Sequence, residues 1–260
     1  MKPIAQTRTF VAILLAAMCC GCAPTLSEIQ LQEREGLIWM FPGVEGGPLA
    51  LTDARRAFRD AGVKSRIRTH DYGRPFGLFA NLMAYDSNRR AAKDIAAQIL
   101  EYRVKHPDAP IDLVGYSGGG GMAVMVAEAV AEDVRLHNVI LCQPAISPAY
   151  NLSEALRRID GTLVNLYAPN DWFMLGLGTS LFGTMDRQYV SAAGKVGFTE
   201  PLILDDPVLG AHFQQQKWTP DLISKGHGGM HTGILTYGWN LNTVAPWLVT
   251  DRVESGELRE

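Results

Sequence analysis

Five apolar residues in a row, Leu37-Ile38-Trp39-Met40-Phe41, stop abruptly at Pro42-Gly43. A run this short, wholly apolar and bounded by turn formers, fits a strand buried on both faces rather than one half open to water. Strand-like runs recur at 63–69, 111–114, 138–142 and 162–167, with stretches of helical length between them. From 87 to 105, for instance, Ala92, Ile95, Ala96, Ile99 and Tyr102 share one helical face. Ser87 is the expected cap of that helix, and His106-Pro107-Asp108 breaks it. Further helices are expected at 50–61, closed by Gly62, at 122–131 and at 241–249. Strands separated in this way by helices predict an α/β fold: a mostly parallel sheet covered by helices on both faces, a three-layer α/β/α sandwich. Ligands of such sheets bind at the carboxyl ends of the strands, so the chemistry is expected just after these runs.

The chain has 260 residues, 47% of them hydrophobic, which suffices for one domain with a substantial core. Its formal charge of −3 gives no electrostatic basis for binding nucleic acid. The four cysteines are too unevenly placed for a disulfide framework: Cys19, Cys20 and Cys22 crowd the N-terminus, and Cys142 stands alone. Within Val139-Ile140-Leu141-Cys142 the last residue reads as a small buried hydrophobe.

The N-terminus reads as an address. Lys2 and Arg8 precede a short apolar stretch from Phe10 to Met18, which runs into Cys-Cys-Gly-Cys. A charged start, a short apolar core and a small-residue boundary describe a secretory signal, and the apolar run is too short to span a bilayer. Its end resembles the bacterial lipoprotein signal, in which a small residue precedes the cysteine that becomes diacylated. Gly21 before Cys22 fits that pattern best, with Cys19 and Cys20 as alternatives. On this resemblance residues 1–21 are a signal peptide, 22–35 a lipidated N-terminus and polar tether, 36–250 the α/β domain and 251–260 a polar tail. The lipid anchor would hold the protein at a membrane of the cell envelope, facing the periplasm or the exterior, each buried methylene contributing about 0.8 kcal/mol.

Directly after the run at 111–114 stands Gly115-Tyr116-Ser117-Gly118-Gly119, followed by a small-residue helix. Gly-x-Ser-x-Gly between a buried strand and a helix is a nucleophile elbow. The tight turn lifts the Ser117 hydroxyl above the sheet, while Gly115 and Gly119 approach neighbouring backbone too closely for side chains. The N–H of Gly118 points at a developing oxyanion.

From Gly36 to Leu248 the chain resembles the α/β-hydrolases, whose catalytic residues follow the order serine, acid, histidine. Asp171, four residues beyond the run at 162–167, occupies the place of the family's acid, after the penultimate strand. Asp186, Asp205 and Asp206 are its rivals. The base is His231 or His227 in Gly226-His227-Gly228-Gly229-Met230-His231, and His231 is preferred for its distance to the terminal helix. In this reading Asp221-Leu222-Ile223-Ser224 supplies the last strand. Two histidines four apart also match a zinc pair on a helix, but Gly228-Gly229 between them disfavours helix, and no metal or cofactor is expected. The second oxyanion donor is expected in the loop after Phe41, from Val44 or, failing that, Gly43.

The resemblance implies a serine hydrolase, with a carboxylesterase or lipase-like enzyme first among the options. Apolar stretches at 75–83 and 172–185 read either as an acyl-binding wall or lid, or as helices packed into the core. The alternative from another class is a catalytically inactive α/β-hydrolase fold that binds or scaffolds at the envelope.

Overall fold

A computed structural model of the chain describes residues 24–43, 48–70, 84–199 and 206–249. The N-terminal segment read as a signal, with Cys22, lies outside these residues, as do Val44, Asp205, the stretch at 75–83 and the C-terminal tail.

Six strands form one sheet in the order β2-β1-β3-β4-β5-β6, every pair parallel. They are β1 (Leu37–Phe41), β2 (Arg66–Thr69), β3 (Ile111–Tyr116), β4 (Val139–Cys142), β5 (Leu163–Tyr167) and β6 (Phe213–Lys217). Residues of β1, β3 and β4 are buried without exception, as expected where both faces of a sheet are covered.

Alternation along each strand divides the core in two. Leu37, Trp39 and Phe41 of β1 join Leu113 and Leu141 on one face, against Ile95 and Ile99 of the long helix Tyr85–Lys105 and Met122 and Met125 of the helix Gly118–Ala129. Ile38 and Met40 join Val114, Tyr116 and Ile140 on the other, against Phe58 of the helix Thr52–Asp60 and Trp239, Val244 and Leu248 near the C-terminus. The three-layer α/β/α fold read from the sequence is therefore the observed one.

Four local expectations change. Residues read as a tether form a helix, Leu26–Glu35, because Thr25 and Glu28 make a reciprocal capping box. This helix buries none of its residues and is held by polar bonds, Arg68 to Glu33 at 2.9 Å and the Tyr102 hydroxyl to the Glu33 carbonyl at 2.6 Å. Ser87 does not cap the long helix, which begins two residues earlier, at Tyr85. The last strand is Phe213-Gln-Gln-Gln-Lys217, while Pro220–Ile223 winds into a 3-10 turn that buries Leu222 and exposes Ile223. The terminal helix breaks into three short turns, Tyr237–Trp239, Asn240–Val244 and Ala245–Trp247.

Candidate active site

The turn after β3 fixes the site. Ser117 has φ 54 and ψ −122, a backbone conformation that few residues other than glycine adopt. Three hydrogen bonds hold it there: its N–H donates to Cys142 O at 3.0 Å, and its carbonyl accepts from Gly120 N at 2.9 Å and Ala145 N at 3.0 Å. The flanking glycines are required by contact. A Cβ on Gly115 would lie 2.3 Å from Gly119 O, and one on Gly119 would lie 2.1 Å from Phe41 O. Gly118 opens the helix Gly118–Ala129, so its N–H has no partner inside that helix.

Asp171 follows β5 and His231 opens the short 3-10 helix His231–Leu235. The three side chains, far apart in sequence, form one buried chain of hydrogen bonds. His231 Nε2 lies 2.9 Å from Ser117 Oγ, and His231 Nδ1 lies 2.5 Å from Asp171 Oδ2. The other carboxylate oxygen, Oδ1, accepts from Leu175 N at 3.4 Å. A carboxylate at Nδ1 requires N–H there, which leaves Nε2 as the acceptor of the serine proton. Ser117 is 5% exposed, His231 9% and Asp171 1%, so Asp171 holds the ring from the protein side while serine and imidazole keep a narrow opening to solvent.

The rival residues are engaged elsewhere. His227 is fully buried, with its ring 4.5 Å from that of Trp239, its Nδ1 accepting from Gly229 N at 2.9 Å and its carbonyl accepting from Trp218 Nε1. Burial depresses its pKa to about 4, so it stays neutral and braces the loop that carries His231. Asp186 accepts from Ser147 N and Thr184 Oγ1, and Asp206 caps the turn Pro207–Gly210. Cys142 is a buried free thiol whose pKa burial raises, as the apolar run around it implied.

The stretch from Trp172 divides in two. Leu175 and Met185 are buried in the core, whereas Trp172 and Phe173 are 60% and 57% exposed and meet edge to face at 5.8 Å. Sequence reasoning passed over two contributors to the site. Tyr116, fully buried one residue before Ser117, donates its hydroxyl to Asn240 Oδ1 at 2.6 Å. Gln143, at φ 47 beside the backbone that grips Ser117, keeps a buried amide with no hydrogen-bond partner among the described residues. The motif at 115–119 leaves the identity of residue 116 open, and no spacing or motif marks Gln143.

The chain matches no protein-family model and no curated protein. Among solved structures it is similar to a dienelactone hydrolase-like promiscuous phosphotriesterase from metagenomic libraries, at 14% identity over 82% of this chain and 85% of that one, with a TM-score of 0.49. It is also similar to a monoacylglycerol lipase of Paleococcus ferrophilus, at 11% identity over 83% and 94%, with a TM-score of 0.44. A cutinase of Trichoderma reesei in complex with a phosphonate inhibitor aligns at 15% identity over 96% and 94%, with a TM-score of 0.36. The chain's own architecture is an all-parallel six-stranded sheet among the described residues, with a tight strand-to-helix turn after β3.

Proposed function

We propose that this protein is a membrane-anchored serine hydrolase acting on carboxylic esters, with Ser117, His231 and Asp171 as its catalytic triad. The observation that carries the reading is the unbroken chain from Ser117 Oγ through both nitrogens of His231 to Asp171, with the serine on a strained elbow. Ser117 Oγ attacks the ester carbonyl carbon as its proton passes to His231 Nε2, and Asp171 stabilises the imidazolium. The tetrahedral intermediate collapses, the bond to the alcohol breaks, and His231 returns the proton to the departing oxygen. Water activated by the same imidazole then attacks the acyl-serine and releases the acid. Gly118 N–H and the backbone of Val44 serve as oxyanion donors, each contributing roughly 2.7–4 kcal/mol in enzymes of this kind. The exposed Trp172–Phe173 pair, which follows Asp171 directly, supports an apolar acyl group. Cys22 carries the lipid that keeps the enzyme on the cell-envelope membrane. No cofactor enters this chemistry.

The test is hydrolysis of p-nitrophenyl acetate, butyrate and longer esters together with labelling by a fluorophosphonate. Wild-type protein and H227A are expected to be active and labelled. S117A is expected to lose both properties, and H231A to lose activity by about 10⁴-fold or more. A folded wild type that hydrolyses no ester and takes no label overturns the reading and favours a binding role for the fold. Labelling with radioactive palmitate, lost in C22S, tests the anchor.

A further inference from the structure

A cavity of about 480 Å³ lies beside the loop that follows β4 and falls within the roughly 300–1,000 Å³ typical of small-molecule sites. Pro148, Ala149, Tyr150 and Val190 line it with apolar surface, and Ser147, Asn151, Asp186 and Gln188 line it with polar groups. Its walls are fixed before any ligand arrives. The Tyr150 hydroxyl donates to Glu128 Oε1 at 2.7 Å, and Glu128 is in turn ion-paired with Arg89. Asp186 Oδ1 accepts from Ser147 N at 2.9 Å and from Thr184 Oγ1 at 2.5 Å. The cavity is also tied to the elbow. Ala145 N donates to Ser117 O and Ala145 O accepts from Met185 N, so Ser147 lies two residues, at most about 7 Å of chain, beyond a direct bond to the nucleophile's backbone.

The lining selects among ligand classes. Among the described residues that line the cavity there is no cation, which removes the partner an anionic group needs. A single carboxylate, with one oxygen already taking two bonds, is a poor cage for an ammonium ion. Two amides, a serine and a carboxylate around a phenol ring and a valine instead match a ring with hydroxyls on its rim and C–H groups on its face.

We propose that this cavity is a subsite for a neutral sugar ring. On the serine-hydrolase reading, on which this part rests, it holds the alcohol portion of an acylated sugar while the acyl carbonyl reaches Ser117. Because Val190 is exposed, V190W fills the cavity without touching the core.

The experiment is saturation-transfer NMR on the full chain with methyl glucoside, methyl galactoside and N-acetylglucosamine as sugar probes, and choline and inorganic phosphate as the others. It is paired with hydrolysis of glucose pentaacetate and p-nitrophenyl acetate. The expected result is transfer to at least one sugar, at least tenfold weaker in V190W and weaker in Q188A, with unchanged fluorophosphonate labelling. V190W is also expected to cut kcat/KM at least tenfold for the sugar acetate while leaving p-nitrophenyl acetate within twofold. Absence of transfer to any sugar, transfer that survives V190W, or transfer to choline or phosphate alone overturns the subsite. Sugar transfer that V190W abolishes in a protein inert to fluorophosphonate upholds the sugar site while the hydrolase reading fails.

Discussion

The hydroxyl of Tyr116 donates to Asn240 Oδ1 at 2.6 Å, across 124 positions of sequence. Asn240 Nδ2 donates in turn to Ile234 O at 2.9 Å and Thr236 O at 2.8 Å, so the residue before Ser117 is fastened to the segment that begins with His231. Replacing Tyr116 by Phe leaves Asn240 Oδ1 buried without its donor, a loss of about 1–3 kcal/mol in stability. Y116F is also expected to lower kcat several-fold with KM little changed, because registry between serine and histidine matters more in the transition state than in substrate binding. Urea unfolding and steady-state kinetics on p-nitrophenyl butyrate read the two effects separately.

His227 gives the native state an acid limit. Its folded pKa of about 4 lies below the ordinary 6.5, so the unfolded chain takes up the proton first. The stability it contributes is complete above pH 6.5 and is lost as the pH falls toward 4. Wild-type protein is expected to lose more unfolding free energy between pH 7 and pH 4.5 than H227N, whose amide oxygen can still accept from Gly229 N. Equal losses in the two proteins would show that the ring titrates freely.

The opposite sign holds at the other end of the sheet. His137 Nδ1 lies 2.9 Å from Asp112 Oδ1, and this bond raises the His137 pKa above 6.5. Burial of Asp112 raises its carboxyl as well, so the pair holds a shared proton more firmly than either group alone. The gain is full below the ordinary histidine value and fades as the pH rises through the elevated one. D112N is therefore expected to destabilise the protein more at pH 6 than at pH 9, as measured by urea midpoints at the two values.

Two glycines make a matched pair of substitutions. G119A drives a methyl group into Phe41 O, backbone that cannot turn aside, and overpacking of this kind costs about 1–3 kcal/mol or more. G228A meets nothing within 4 Å and is expected to change stability by less than about 0.5 kcal/mol. Thermal melts give the first number, and loss of fluorophosphonate labelling in G119A alone would tie the same contact to the elbow.

Local features were the legible ones. The apolar runs at Leu37–Phe41 and Leu163–Tyr167 and the glycines around Ser117 state their roles within a few residues of themselves, and the structure places them as strands and elbow. Among the described residues strand β6, rich in glutamine, is an edge strand paired on one side only, and polar edges carry no hydrophobic period. Gln215, though exposed, bonds through its side-chain amide to Asn165 and to both backbone groups of Phe198, and no pattern in the sequence encodes that. His227 and His231 differ in what reaches them from elsewhere, tryptophan rings for one and Asp171 for the other, so their division of labour appears only in three dimensions. The capping box at Thr25 and Glu28, by contrast, stood in plain sight before a segment too polar to suggest a helix.

The hydrogen-bonded chain of Ser117, His231 and Asp171 is assembled from three distant stretches, with 114 positions separating Ser117 from His231. The turn at Ser117 can form as soon as β3 and its neighbours are in place, but His231 follows the edge strand β6 in the sequence. A chain synthesised from its N-terminus would therefore complete the turn at Ser117 before the histidine that its hydroxyl meets has been made. The arrangement of Ser117, Asp171 and His231 therefore draws on the chain from β3 through the turn at His231, and on no single fragment of it.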